Sequence, residues 1–403
     1  MATAQSTVPT TNTCSNKRKL PLLPSPYTYE RVSSSYKRQW DEYKKSFPRH
    51  VEVTDLVWCR FEEEDARYLV GCTSRGEIAV WRLPQANNDD EHALESSNTK
   101  PVARVQMSSK PLTSIQTFGE KKDSILVTGD EGITTVKFQD ILQSADLTSD
   151  IVWWNKSISN PIQQAKIYDG NVYGVSPSGD AYKFDLNTSD LVSSYKIPGG
   201  EISTSSVMGL VEPSEASSTN SPLLLVGGNR SNTVSIWDVA KDRGMESLQL
   251  SLSEQKTKKG SYFVFGKSQS SVQSNVTSMH ISEHWWTFAG EQHAHHPLEG
   301  GFISTYHGPT RSMVACTQTR ECIQQIASHD NGLVTVGNEG IVSFWDSSYS
   351  LQRTHRAWSS PPSGRAIAIP RSSINTTGTL AVGGVGPKVD LLEECCKIQT
   401  LTL

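Results

Sequence analysis

Short apolar runs separated by polar turns recur seven times along the chain. In each repeat an apolar, β-branched run of the kind found in strands covered on both faces is followed by a glycine-containing turn and a second strand-like run. Glycine permits the positive φ of tight hairpin turns, so each repeat predicts a β-hairpin. The seven hairpins are Tyr68–Leu83, Ile125–Asp140, Asn171–Leu186, Leu224–Val239, Trp286–Gly308, Leu333–Ser348 and Thr379–Glu394.

The glycine at the end of each first run marks the period of the repeat. These glycines are Gly71, Gly129, Gly174, Gly227, Gly290, Gly337 and Gly383, with spacings of 58, 45, 53, 63, 47 and 46 residues. Propellers of the WD-repeat type repeat every ~40–45 residues, with four strands in each blade. The sequence therefore predicts an all-β fold, a seven-bladed WD40-type β-propeller, with a disordered or helical N-terminal extension.

An inner strand before each hairpin and an outer strand after it complete the predicted blades. The inner strands are Val53–Phe61, Pro111–Phe118, Pro161–Tyr168, Glu201–Val211, Val276–Ser282, Glu321–Ser328 and Arg365–Pro370. The outer strands are Val102–Met107, Ile151–Trp154, Leu191–Ile197, Glu246–Leu252, Arg311–Gln318, Leu351–Ala357 and Ile398–Leu403. Two hairpins end in the WD dipeptide, at Trp237–Asp238 and Trp345–Asp346, whereas the usual GH dipeptide is missing.

The predicted domain organisation has three parts: a disordered basic tail (1–28), a short helix or linker (29–47) and the propeller (48–403). If every blade takes one inner strand, one hairpin and one outer strand in chain order, the outer strand of blade seven is the last segment of the chain. The ring then closes by side-chain packing between blades one and seven. A strand exchanged from residues 48–58 is the alternative.

Charge is divided unevenly between the extension and the ring. Residues 1–50 carry nine Lys and Arg against three Asp and Glu, and the remainder carries 29 against 39. Lys17, Arg18 and Lys19 form a basic cluster that reads as a weak nuclear-import signal, a phosphate contact or an ordinary solvated charge run. Tyr36, Trp40 and Tyr43 share one face of a predicted helix, which docks either on a partner or nucleic acid or on the base of the propeller itself.

Cellular context follows from what the chain lacks. It has no apolar run of the ~20 residues that a membrane helix needs, and no secretory leader. Seven cysteines without metal-type pairs favour reduced thiols in a nucleus or cytoplasm. We therefore predict a protein of the nucleus, or of the nucleus and cytoplasm, without membrane contact.

The search for chemistry yields two groups of residues. No nucleophile motif is present, so we predict no enzyme activity, no cofactor, no metal and no small-molecule substrate; His284, His293, His295, His296 and His307 are interpreted as a loop feature. The tandem Trp153 and Trp154 lie on a predicted outer strand, where neighbours face opposite sides. An exposed tryptophan there is a candidate for partner binding, although packing between blades is the alternative.

Four segments carry a family resemblance: Ala381–Leu392 (AVGGVGPKVDLL), Ser282–Gln292 (SEHWWTFAGEQ), Leu333–Asp346 (LVTVGNEGIVSFWD), and LVTGDEGITTVKF followed by Trp153–Trp154. Over residues 50–403 the chain resembles the THO complex subunit 6 family, WD-repeat components of the transcription–export machinery. The resemblance implies a non-enzymatic scaffold subunit of a THO/TREX-type complex, which supports mRNA processing and export. It implies helical, coiled-coil THO/TREX subunits as partners, with RNA contacted indirectly or through the basic tail.

Two other functions compete with that interpretation. Many WD proteins are substrate receptors of cullin-type ubiquitin ligases, and these often carry arginine two positions after the WD aspartate. Here Ala240 and Ser348 hold those positions, which disfavours the receptor. A general WD40 interaction module with another partner is the remaining alternative.

Overall fold

The computed structural model describes most of the chain from residue 51 onward. The described ranges are 51–60, 67–83, 99–119, 123–143, 151–154, 160–196, 207–213, 222–228, 232–240, 243–250, 273–282, 284–293, 300–329, 332–346, 353–361, 363–370, 379–393 and 396–403. The chain divides into two units, Met1–Pro48 and Arg49–Leu403, and all described residues belong to the second. The predicted tail and helix lie outside them.

Seven antiparallel sheets follow one another along the chain. Blades one and two contain β1 (Val53–Arg60), β2 (Arg67–Thr73), β3 (Glu77–Leu83), β4 (Ala103–Gln106), β5 (Leu112–Phe118), β6 (Ser124–Gly129), β7 (Gly132–Lys137) and helix α1 (Phe138–Gln143). Blades three and four contain β8 (Gln164–Tyr168), β9 (Asn171–Val175), β10 (Asp180–Asp185), β11 (Leu191–Lys196), β12 (Val207–Val211), β13 (Leu223–Gly227), β14 (Thr233–Asp238) and β15 (Arg243–Gln249). Blades five to seven contain β16 (Gln273–Ile281), β17 (Trp285–His293), β18 (Gly300–His307), β19 (Ser312–Thr319), β20 (Ile323–His329), β21 (Gly332–Gly337), β22 (Ile341–Asp346), β23 (Arg353–Trp358), β24 (Gly364–Ala368), β25 (Thr379–Gly384), β26 (Lys388–Glu393) and β27 (Cys396–Thr402).

The predicted seven-bladed propeller is confirmed. Each sheet takes its strands in chain order, and the first strands of neighbouring blades contact one another around the central axis. Six of the sheets have four strands, whereas the described part of blade two has only β5, β6 and β7. The predicted outer strand Ile151–Trp154 is therefore wrong. The second strand of the predicted hairpin Ile125–Asp140 ends at Lys137, because Phe138 begins α1.

The hydrophobic core is divided among the interfaces between blades. Seven clusters of buried side chains each join two neighbouring blades. Aromatic residues at the ends of the hairpins are among the larger members of these clusters, and Trp81, Phe184 and Trp237 are almost completely buried. Since each sheet is covered on both faces by its neighbours, its middle strands are nearly all apolar.

The repeated glycine in the second strand of each blade fits closely against an inner strand, which belongs to the same blade at Gly71 and Gly129 and to the next blade at Gly227 and Gly383. A Cβ atom on Gly383, in β25, would lie 2.8 Å from Cγ1 of Val53 in blade one. The tight turn itself belongs to a different glycine, as at Gly76 between β2 and β3, where φ is +79°. The glycine that recurs in the second strand is therefore required by packing against inner strands. The glycine in the turn is required by its positive φ.

The ring closes without exchange of a strand. β1 pairs with β2 inside blade one, and β27 pairs with β26 inside blade seven. One core cluster spans the seam and includes Val53, Trp81 and Leu401. Backbone bonds join its margins, from Gly386 N–H to the Val51 carbonyl at 2.7 Å and from Thr402 N–H to the Thr99 carbonyl at 2.9 Å. Closure by packing is confirmed, and the exchanged strand is excluded.

The cysteines in the described ranges are all free: Cys59, Cys72, Cys316, Cys322 and Cys396. Burial raises the pKa of the Cys59 thiol to about 12, so it is protonated at neutral pH. No helix in the described ranges has the length and apolar character needed to cross a membrane.

Candidate partner-binding groove

The outer edge of blade two differs from the other blades because the chain leaves it early. After β7 the backbone turns into α1, whose Phe138 and Ile141 are buried in the core between blades one and two. The Phe138 ring meets the Tyr68 ring edge-on at 5.3 Å between centroids. Packing of two side chains at i, i+3 spacing thus holds this short helix against blade one.

The returning segment 151–154 packs toward the opposite neighbour. Trp154 is 6 % exposed, and its ring lies 6.1 Å from that of Phe184 in blade three. The segment is tied to β7 by the Trp154 N–H, which donates to the Ile133 carbonyl at 2.8 Å, and by the Thr134 hydroxyl, which donates to the Val152 carbonyl at 3.0 Å. Residues 151–154 therefore run beside β7 only near its first residues, Ile133 and Thr134.

A groove opens where α1 and the returning segment diverge. It has a volume of about 730 Å³ and is bounded by β7, α1, residues 151–154 and Ser189 of blade three. The residues used below are Phe118, Thr135, Lys137, Asp140, Val152 and Trp154. We call this feature the blade-two groove.

One wall of the blade-two groove is an open strand edge. The Phe138 N–H donates to the Asp123 carbonyl on the β6 side at 2.9 Å, and N–H groups alternate in direction along an antiparallel strand. The N–H groups of Thr135 and Lys137 therefore point away from β6 and toward the groove. Among the described strands none pairs with this edge, so it offers main-chain groups to another strand.

Exposed apolar side chains surround the same groove. Val152 is 65 % exposed and Leu142, in α1, is 38 % exposed, although both adjoin buried residues. Val192 of blade three, close in sequence to the groove-lining Ser189, is 54 % exposed. Of these exposed apolar side chains, Val152 lines the groove and Leu142 lies on the helix that borders it, whereas Val192 is three residues beyond the lining Ser189. Exposed apolar surface of this kind marks interaction sites.

The two tryptophans predicted for partner binding have different environments. Trp154 is a core residue whose indole fills the space between blades two and three, which is the packing that the sequence offers as the alternative to partner binding. Trp153 is partly buried against the opposite core, between blades one and two. For Trp153 a role in partner binding stays a prediction.

The other predicted binding residues, Tyr36, Trp40, Tyr43, Lys17, Arg18 and Lys19, lie outside the described residues. The same holds for His295 and His296. His284 and His307 are 6.4 Å apart between ring centroids, and within the described ranges no three potential metal ligands come together.

A second polar feature lines the central axis. The Asp55 carboxylate accepts hydrogen bonds from the N–H groups of Leu56, at 2.9 Å, and of Ile115 in blade two, at 3.0 Å. Asp55 is partly exposed at the axis but surrounded by protein, and this burial raises the pKa of its carboxyl, while the two N–H donors and Lys166 act in the opposite direction. The hydroxyl of the adjacent Thr54 donates a hydrogen bond of 2.9 Å to the Leu112 carbonyl in blade two. Thr54 and Asp55 together therefore join blades one and two.

Comparison with solved structures supports the same fold. The crystal structure of the WD40 β-propeller domain of Doa1 aligns with a TM-score of 0.51 and 13 % identity, over 83 % of this chain and 89 % of that chain. The crystal structure of the computationally designed Ika8 protein aligns with a TM-score of 0.49 and 11 % identity, over 88 % and 97 %. No protein-family model and no curated protein sequence matches the chain.

The fold and the likeness to the Doa1 propeller domain define a class. The chain is a seven-bladed propeller of the WD40 type, a fold that typically serves as a non-catalytic scaffold for protein interactions. At 13 % identity the likeness to Doa1 shows the fold alone.

Proposed function

We propose that this protein is a non-enzymatic WD40 scaffold subunit of a THO/TREX-type complex, acting in the nucleus in mRNA processing and export. The observation that carries the scaffold role is the open edge of β7 beside exposed apolar side chains, because such an edge is recognised by other polypeptides. The assignment to a THO-type assembly is supported by the resemblance in segments such as Ala381–Leu392 and Leu333–Asp346.

The test is purification of the tagged full-length protein from its own cells at moderate salt, followed by mass spectrometry. We expect the coiled-coil THO subunits and an RNA helicase of the export pathway to be recovered in stoichiometric amounts. A tagged WD40 propeller domain of Doa1, which shares the fold, controls for capture by the propeller surface alone. Recovery of a cullin and its adaptor instead would contradict the proposal and favour a ligase receptor.

Attachment to RNA is proposed to depend on the basic tail. Residues 1–50 carry a net charge of +6 and the remainder −10, and binding to phosphates weakens steeply with salt because counterions are displaced. Replacing Lys17, Arg18 and Lys19 by glutamate in the full chain should weaken RNA association and lower its salt dependence. Equal RNA association by both proteins at every salt concentration would contradict this part of the proposal.

A further inference from the structure

We propose that the blade-two groove binds an extended segment of a partner protein, rich in basic and apolar residues, which adds to β7 as an outer strand. The inference rests on the proposed scaffold function and names the chemistry of the partner at one surface. Three independent properties of the groove support it: its main-chain groups, its apolar walls and its charge.

The main chain of β7 selects an extended partner. The outward N–H groups of Thr135 and Lys137 need carbonyl acceptors, and the outward carbonyl of Thr135 needs a donor. The neighbouring Ile133 carbonyl already accepts such a bond, from Trp154 N–H at 2.8 Å. A strand entering the groove would add hydrogen bonds to Thr135 and Lys137, which follow the bond between Trp154 and Ile133 along the same edge of β7.

The side walls select alternating residues. Successive side chains of a strand point to opposite faces, so an added strand presents every second side chain to the walls that Phe118 and Val152 form. The exposed Val152, which lines the groove, would then lose contact with water. The remaining side chains of the added strand face solvent and the rim.

Charge at the rim selects a basic partner. Asp140 lines the groove, Asp123 accepts a hydrogen bond from the lining Ser124 at 3.3 Å, and Asp190 follows the lining Ser189. Lys137 is the basic residue among those that line the groove, and none of the ion pairs between described residues involves the three aspartates. Three carboxylates against one ammonium favour lysine and arginine and repel phosphate, so a peptide is favoured over RNA.

The experiment uses the full-length protein and a fluorescent peptide that alternates lysine and valine over about six residues, long enough at ~3.3 Å per residue to span the open edge. Two forms of the peptide with methylated backbone nitrogens are compared. One carries a methyl group on the backbone nitrogen of every lysine, and the other on the backbone nitrogen of every valine. In a strand these two sets of N–H groups lie on opposite edges. Addition to β7 therefore requires that one form binds within about threefold of the parent peptide and the other at least tenfold more weakly.

Protein variants locate the site. Thr135→Pro removes one outward N–H at an edge, where proline is tolerated, and should weaken binding at least tenfold. Asp140→Lys combined with Asp190→Lys should weaken it by about tenfold at low salt and less at high salt. Asp130→Lys is the matched control, since Asp130 is exposed at the turn between β6 and β7 and does not line the groove; it should change binding less than twofold.

Equal binding of the two methylated forms would overturn the proposal, as would no binding of the parent peptide or full binding to Thr135→Pro. Stronger binding of a single-stranded RNA probe than of the peptide, altered by the aspartate variants but not by Asp130→Lys, would overturn the choice of partner. The peptide assay contains no THO subunit. A negative result would therefore count against peptide binding in the groove and not against the proposed role in mRNA export.

Discussion

The indole N–H of Trp58, in the first inner strand, donates a hydrogen bond of 3.0 Å to the carbonyl oxygen of Ala368, in the last. The bond crosses the seam of the ring and joins residues 310 positions apart. With no exchanged strand, the seam depends on such contacts and on the packing of Val53, Trp81 and Leu401. Removing any one contact across the seam should therefore lower the free energy of unfolding of the whole ring.

Replacing Trp58 by phenylalanine keeps most of the packing and removes the donor. The free energy of unfolding should fall by about 1–2 kcal/mol, because the Ala368 carbonyl loses a partner. Urea denaturation followed by tryptophan fluorescence measures it. Trp81→Phe removes a bond of 3.3 Å to the Thr402 carbonyl and also leaves a cavity at a completely buried ring, so it should have a larger effect. A smaller loss from Trp81→Phe would contradict this ranking.

Gly383 tests whether the repeated glycine is needed for close packing. In Gly383→Ala the new Cβ would meet Val53 Cγ1 at 2.8 Å and Leu56 Cδ1 at 3.1 Å, so stability should fall by about 1–3 kcal/mol through overpacking. The control is Gly170→Asn, at an exposed turn with φ of +68° and nothing within 4 Å of the added Cβ. Asparagine tolerates that conformation, and a change of at most about 1 kcal/mol is expected.

Asp55 should give the ring a recognisable dependence on pH. Burial raises the pKa of its carboxyl in the folded state above that in the unfolded chain, so the folded form binds the proton more tightly. The resulting stability is fully present below the unfolded pKa and is lost as pH rises through the folded pKa.

The comparison of wild type with Asp55→Asn isolates that effect. As pH falls from 8 to 4, wild type should gain stability relative to the variant, by about 1.4 kcal/mol for each unit by which the pKa is raised. Urea unfolding at a series of pH values measures the difference. A difference that is constant with pH, or that moves in the opposite direction, would contradict the raised pKa.

Trp153 and Trp154 should respond differently to truncation. Trp154→Ala removes a buried ring between blades two and three, and we expect a loss of about 3–5 kcal/mol in unfolding free energy. Trp153→Ala removes a partly buried ring and should be less than half as destabilising. Thermal and urea unfolding of both variants test this; equal losses would show that Trp153 is also a core residue.

The blades were predictable from sequence because their signals are local. Tight turns and apolar runs lie within about 16 residues of each other, as in Tyr68–Leu83, and seven copies in register reinforce one another. The role of Gly383 was less accessible. Its clash partner Val53 lies in the first blade, 330 residues away by number, and only the closed ring brings the two together.

The groove was not predictable, since the segments that form it have misleading local patterns. Residues Ile151–Trp154 (IVWW) have strong strand propensity, but Trp154 is drawn into the core beside Phe184 and the segment leaves β7. Helix α1 has six residues and two buried side chains, too short for helical periodicity to be recognised. Tertiary packing on both sides decided the structure of this edge.

The contiguity of each blade along the chain also determines when the ring can form during synthesis. Blades one to six can fold in turn as they leave the ribosome, since none borrows a strand from a later part of the chain. The bond from Thr402 N–H to the Thr99 carbonyl cannot form until translation has passed residue 402. Until then the apolar side chains that blade one contributes to the seam, such as Val53 and Trp81, lack the partners that blade seven supplies.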